Sequence, residues 1–163
     1  MNLNIKIFLL CPIPDDQKPI NEYIQLKENN FSQLIFSSTK NYLSKLFFEF
    51  FLFFILSTPI TFLLKLNPNL ILFNSFFSLN ILTIIFLINF LRWSQLLNKF
   101  RNSRLFYEEG SWYDGQIWEK PFELIKNDKL ISIQKIKPNL NRIKKTLTIL
   151  ILINIYFYFF LII

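Results

Sequence analysis

LILFNSFFSLNILTIIFLINFL, residues 70–91, runs from Leu70 to Leu91 without one charged side chain. As a helix rising about 1.5 Å per residue, it is long enough to cross a hydrocarbon layer of about 30 Å. Just before it, Lys65-Leu66-Asn67-Pro68-Asn69 has the composition of a turn. Before the turn lies a second apolar run, from about Leu46 to Leu64, with Glu49 near its start and Pro59 beyond its middle. These two runs predict a tight antiparallel helical hairpin. A third run without charge, Leu147–Ile163, closes the 163-residue sequence, and Lys144, Lys145 and Thr146 mark its start. The expected fold class is therefore a mainly α membrane protein with three transmembrane helices, a hairpin plus a C-terminal span. The division follows: a polar arm over 1–45, the hairpin over 46–91, a polar α/irregular loop over 92–145, and the last span over 146–163.

The basic residues set the expected orientation. Five Lys and Arg lie in the arm through Lys45, one in the hairpin turn, and twelve in the loop over 92–145. By the positive-inside rule, arm and loop share the cytoplasm-like side, and the turn and C-terminus face away. The net charge of +7 thus has a topological cause, and nucleic acid is not an expected partner. Ile5–Leu10 is too short for a signal-peptide core and the first residues are not Arg-rich, so no cleaved leader is expected.

Composition excludes several chemistries. There is no His, hence no Ser-His-Asp triad, no imidazole base and no His-ligated metal centre. A single Cys, Cys11, excludes an intramolecular disulfide and an all-Cys cluster. Two Gly, at 110 and 115, cannot build a phosphate-binding loop. The chain also lacks Ala and Val, while it carries 21 Phe and many Ile and Asn. That bias matches strong A+T pressure on the gene, as in an organelle genome, and makes each surviving Gly, Pro and Trp informative.

Two polar segments stand out. CPIPDDQKPINEY, Cys11–Tyr23, is stiffened by Pro12, Pro14 and Pro19. Pro19 suits the first turn of a short helix with Ile20, Tyr23 and Ile24 on one face and Glu22 in that turn. The segment is either an arm that docks on a partner or on the loop, or a tail lying on the membrane surface. YEEGSWYDGQIWEKP, Tyr107–Pro121, holds both glycines, Trp112, Trp118, Tyr113 and four carboxylates: Glu108, Glu109, Asp114 and Glu119. Positive φ at Gly110 and Gly115, with Asp114-Gly115 as a turn, folds this strip back on itself. The docking candidates are Pro12, Pro14, Glu22, Tyr23, Glu108, Glu109, Gly110, Trp112, Tyr113, Asp114, Gly115, Trp118 and Pro121. No residue is assigned as catalytic, cofactor-binding or metal-ligating. The alternative is a membrane-bound enzyme or metal-handling factor using the carboxylates of 108–119.

Between and beyond these segments, further elements are expected. Over Arg92–Phe106, Trp93, Leu96, Leu97 and Phe100 recur at helical spacing among basic residues, which predicts an amphipathic helix with its Trp at a lipid headgroup layer or, as the alternative, a face that meets a partner helix. Lys129–Lys137 reads as a short strand ended by Pro138, with Asn139 or Asn141 capping the last helix. Within the spans, Asn74, Ser78 and Asn89 share one face and predict interhelical hydrogen bonds. Glu49 is expected to pair with Lys45, four residues earlier.

The two polar motifs, the helical hairpin and Lys137-Pro138 before the last span resemble a membrane family of cyanobacteria and plastids. It is known as hypothetical chloroplast reading frame thirty-six, or conserved in the green lineage and diatoms. The likeness runs from Cys11 to the last span. It implies a plastid-encoded multi-span protein of the chloroplast, in the thylakoid, tied to photosynthesis or its upkeep, including iron economy. Arm and loop would then be stromal. Expected partners are the lipid bilayer and other thylakoid membrane proteins, with a non-catalytic part in assembly or maintenance of photosynthetic complexes. The cofactor stays unknown, because the resemblance carries no established functional residues.

Overall fold

The computed structural model describes residues 11–29, 38–63, 70–108 and 115–162. The turn over 65–69 lies outside them. The described residues are mostly helical, with one small sheet. In order it forms a 3-10 turn (Asp15–Gln17), α1 (Pro19–Glu28), α2 (Thr39–Leu63), α3 (Leu70–Arg101), β1 (Arg104–Glu108), β2 (Gly115–Glu119), α4 (Phe122–Ile131), a π turn (Ser132–Ile136) and α5 (Lys137–Ile162). Among the described residues, two stretches of helix are long and apolar enough to cross a membrane: Thr39–Pro59 and Ile71–Arg101. The third apolar run is helical through Ile162, in α5.

The chain divides into two compact units, one of residues 1–32 with 92–140, the other of residues 33–91 with 141–163. The second unit is a bundle of α2, the first part of α3, and most of α5. Its apolar surfaces are Phe-, Ile- and Leu-rich, and many of these side chains are exposed. Three hydrogen bonds among the described residues stitch it together. Ser57 hydroxyl meets the Asn74 carboxamide oxygen, and Asn74 Nδ2 donates to Phe54 O at 3.0 Å, joining α2 to α3. Tyr42 OH donates to Thr146 Oγ1 at 3.0 Å, joining α2 to α5. Asn74, Ser78 and Asn89 are all buried, as the shared face requires. Asn74 bonds across helices, whereas Ser78 Oγ donates to Ser75 O and Asn89 Nδ2 to Ile85 O, both within α3. Among the described residues no ion pair joins Lys45 to Glu49, and Glu49 Oε2 is buried without a hydrogen-bond partner. The expected pairing is therefore absent. A four-residue spacing allows such a pair but does not enforce it against the entropy of two long side chains.

The first unit departs from expectation in three places. α3 stops at Arg101, and Arg104–Phe106 enters a strand instead of extending the amphipathic helix. The basic helix does not offer its Trp to a headgroup layer either. Trp93 is 0% exposed, and Leu96 and Phe100 are buried with it. The covering group is Tyr23 of α1, whose ring meets Trp93 edge-on at 6.0 Å and Phe100 at 6.4 Å. An aromatic face that could have rested on lipid is closed by the protein's own arm. Third, Lys129–Lys137 is helical, not a strand. Ser132 and Ile136, four residues apart, are the buried positions, and Ser132 Oγ back-bonds to Lys129 O. Pro138 follows the π turn within continuous helix, where it removes one backbone donor, and Asn139 donates to Lys135 O instead of capping.

Candidate functional site

The first unit is assembled around the strip over 107–121. β1 and β2 pair antiparallel in the register Arg104↔Glu119, Leu105↔Trp118, Phe106↔Ile117, Tyr107↔Gln116, Glu108↔Gly115. The strip does fold back on itself. Because side chains alternate across a strand, this register creates two faces. The inner face carries Leu105, Tyr107 and Trp118, which form a cluster with Ile13 and Cys11 of the arm. Tyr107 OH donates to Gln116 Oε1 at 2.6 Å across the strands. The outer face carries the Phe106–Ile117 pair, 76% and 56% exposed, with the Arg104–Glu119 ion pair beside it at 2.8 Å.

The arm is fastened to this hairpin by backbone mimicry. Pro14 has an extended backbone (φ −54°, ψ 146°), then the 3-10 turn over Asp15–Gln17 places Gln17 against β1. Gln17 Nε2 donates to Glu108 O at 2.9 Å, and Glu108 N donates to Gln17 Oε1 at 3.0 Å. Pro19 occupies the first helical position of α1 as expected. Glu22 forms an ion pair with Lys99 of α3. Tyr23 is buried, and burial holds its phenol above the ordinary value of 10.0. Ile24, expected on the same face, is exposed.

Beneath the hairpin lies a buried ion pair that the sequence did not single out. Lys120 is buried; its side chain is 2% exposed, and its Nζ donates to Asp128 Oδ2 at 2.5 Å and to Lys99 O at 2.9 Å. Its own backbone N–H donates to Ser103 O at 2.9 Å. One side chain thus ties the end of β2 to α4 and to the last turn of α3, whose carbonyl ends attract a cation. Burial raises the Asp128 carboxyl above the ordinary carboxylate range, although Lys120 pulls the other way. A cavity of about 50 Å³ remains here, bordered by Cys11, Ile13, Lys18, Trp118, Lys120 and Asp128 among others. Pro121 precedes α4 as its N-cap, and Phe122 next to it is 80% exposed.

The sequence-derived candidates distribute unevenly. Pro12 is exposed and Pro14 half-buried. Tyr23 and Trp118 face the unit's own core, Trp118 half-buried against Leu105. Glu108 and Glu119 stand at opposite ends of the sheet, and among the described residues no group of acidic or thiol side chains is placed to hold a metal. Gly115 opens β2 without a left-handed φ, and a Cβ built there meets nothing within 4 Å, so the positive φ expected at Gly115 is not found. Pairing with Glu108 draws it into ordinary extended backbone. Glu109, Gly110, Trp112, Tyr113 and Asp114 lie outside the described residues. Sequence reasoning missed Phe106 and Ile117, which strand alternation about Leu105 and Tyr107 would have placed outward.

Relatives cover nearly the same span of chain. The ycf36 protein of Cyanophora paradoxa is 37% identical over 147 residues, 88% of this chain and 92% of its own length. That of Pyropia yezoensis is 35% identical over 144 residues, 86% of this chain and 87% of its own. The chloroplastic protein Conserved in the Green Lineage and Diatoms 27 of Arabidopsis thaliana is 32% identical over 145 residues, 83% of this chain and 43% of its own length. No solved structure matches. The family model described as CGLD27-like, Conserved in the green lineage and diatoms 27, matches residues 11–149, and the chain belongs to that family.

Proposed function

We propose that this chain is a three-span membrane protein of the plastid, resident in the thylakoid, which assists assembly or maintenance of photosynthetic complexes without catalysing a reaction. The two long apolar helices, the uncharged end of α5 and the 5:1:12 distribution of basic residues support membrane insertion with arm and loop on the stromal side. The chloroplastic name of the Arabidopsis relative supports the plastid.

The observation that carries the docking role is the outer face of the β hairpin. Phe106 and Ile117 are cross-strand partners, both exposed, on a two-stranded sheet whose inner face is already filled. Apolar pairs of this kind, rimmed by an ion pair such as Arg104–Glu119, are typical of surfaces that another protein covers. Aromatic anchors often dominate the energy of such contacts. The test is recovery of co-purifying proteins in mild detergent from membranes carrying tagged wild type or Phe106→Ser with Ile117→Ser. Loss of partners with unchanged abundance is expected. Undiminished recovery would rule out this face.

A further inference from the structure

We infer that the first unit binds a phosphate group in a basic cavity between the last turns of α3 and the helix that runs from α4 through the π turn into α5. The cavity, of about 350 Å³, is lined by Leu97, Arg101, Lys129, Ser132, Ile133 and Lys137. Three of these side chains are cations and none is a carboxylate. The volume lies in the range of small-molecule sites and leaves room, beyond a phosphate, for an organic remainder against Leu97 and Ile133. All six residues belong to the first unit, so the site stands whether or not the second unit crosses a membrane.

Leu97 and Arg101, four residues apart, share one face of α3. Lys129, Ile133 and Lys137, also at four-residue steps, share one face of the helix through the π turn, with Ser132 beside them. Two basic faces thus line one cavity. Elsewhere in this unit four cations are answered by carboxylates: Lys18 by Asp15, Lys99 by Glu22, Arg104 by Glu119 and Lys120 by Asp128. Arg101, Lys129 and Lys137 join no ion pair and no side-chain hydrogen bond among the described residues. Asp128, next to Lys129 in sequence, is engaged by Lys120. The carbonyl end of α3 favours a cation at Arg101, but Lys129 and Lys137 lie in continuous helix and have no such local cause. Like charges gathered around a cavity repel, and a dianionic phosphate turns that repulsion into attraction. Ser132 Oγ is spent on Lys129 O at 2.8 Å, so recognition falls to the three cations. The π turn, a geometry rare in helices and frequent at functional sites, places Ser132 and Ile133 in the cavity wall.

A soluble phosphate monoester and a lipid headgroup share this chemistry, and the test has an arm for each. In one, full-length tagged protein in neutral detergent is titrated calorimetrically with glycerol 3-phosphate. In the other, the protein is reconstituted in vesicles of phosphatidylcholine mixed with phosphatidic acid, extracted in mild detergent and weighed by native mass spectrometry. Lys129→Gln and Lys137→Gln should each weaken binding about tenfold, as loss of one charge-assisted contact implies. Both side chains are exposed, so the fold should be kept. Lys126→Gln and Lys135→Gln remove equal charge at exposed positions outside the cavity and should leave binding unchanged. Saturable binding of glycerol 3-phosphate with that pattern assigns a soluble ligand. Retention of phosphatidic acid over phosphatidylcholine with the same pattern, and no heat from glycerol 3-phosphate, assigns a headgroup. Binding in neither arm overturns the site. Equal weakening in the cavity and control variants reduces the effect to net charge and overturns the site as well.

Discussion

The Gln17 side chain pairs with the Glu108 peptide as a neighbouring strand would, donating to its carbonyl at 2.9 Å and accepting from its N–H at 3.0 Å. The arm is thereby stitched to the edge of β1 where the described strand ends. This explains how a segment with three prolines, poor in backbone donors, still closes a sheet edge.

Replacing Gln17 with Ala removes both bonds, a loss of about 1–2 kcal/mol for the local closed state. Amide exchange at Glu108 should then quicken by roughly tenfold, with α3 unaffected. Gln17→Glu keeps an acceptor for the Glu108 N–H but loses the donor, so an intermediate change is expected. Unaltered protection in Gln17→Ala would show that the arm is held elsewhere.

The Lys120–Asp128 pair should behave as a buried ion pair. Lys120→Ala leaves a buried carboxylate without its cation and should destabilise the first unit by about 3–5 kcal/mol, read from Trp fluorescence during denaturation. Lys120→Met with Asp128→Leu should restore most of that stability. A raised Asp128 pKa means that the folded state holds this proton more tightly than the unfolded chain, whose value is near 3.8. The stabilising contribution of that proton is full below the ordinary carboxylate range and is lost as pH rises through the raised value. In Asp128→Asn that pH-dependent slope should disappear; a slope identical to wild type would place the titrating group elsewhere.

How much of this was readable from sequence depends on the range of the interaction. The run Leu70–Leu91, the helix opening at Pro19 and the reversal within Tyr107–Pro121 are local, and all three are found. The fate of Trp93, Leu96 and Phe100 is not local. Their spacing specifies an apolar face but not its cover, and the cover is Tyr23, from the other end of the chain. Leu130, Ile131, Ile133 and Ile136 fit a strand period and a helix period about equally, and burial of Ser132 with Ile136 settles the matter for helix. Lys120 read as one charge among many, because only the fold brings Asp128 and the Lys99 carbonyl to it.

Asn74 should matter more than its two companions in the bundle. Asn74→Leu removes the links to Ser57 and Phe54 O and should loosen the bundle by about 1 kcal/mol in a membrane-mimetic unfolding assay. Ser78→Ala and Asn89→Leu remove bonds only to their own helix and should change little. Equal effects at all three positions would mean that burial, not interhelical bonding, sets their contribution.

Gly115 should tolerate a side chain. With ordinary φ and open space around its Cβ position, Gly115→Val adds a residue that favours extended backbone. The melting temperature should hold or rise by a few degrees, consistent with about 0.5–1 kcal/mol gained. A marked fall would reveal a constraint from the residues before Gly115.

The central claim is that the chain spans the membrane three times, with arm and loop on one side. Its most direct test is protease access in sealed thylakoid vesicles, with one tag at the N-terminus, one inserted beside Asn127 in α4, and one at the C-terminus. Digestion of the first two from the stromal side, with the C-terminal tag protected until the vesicles are opened, is the expected result. Protection of the N-terminal or the Asn127 tag, or digestion of the C-terminal tag in sealed vesicles, would contradict it.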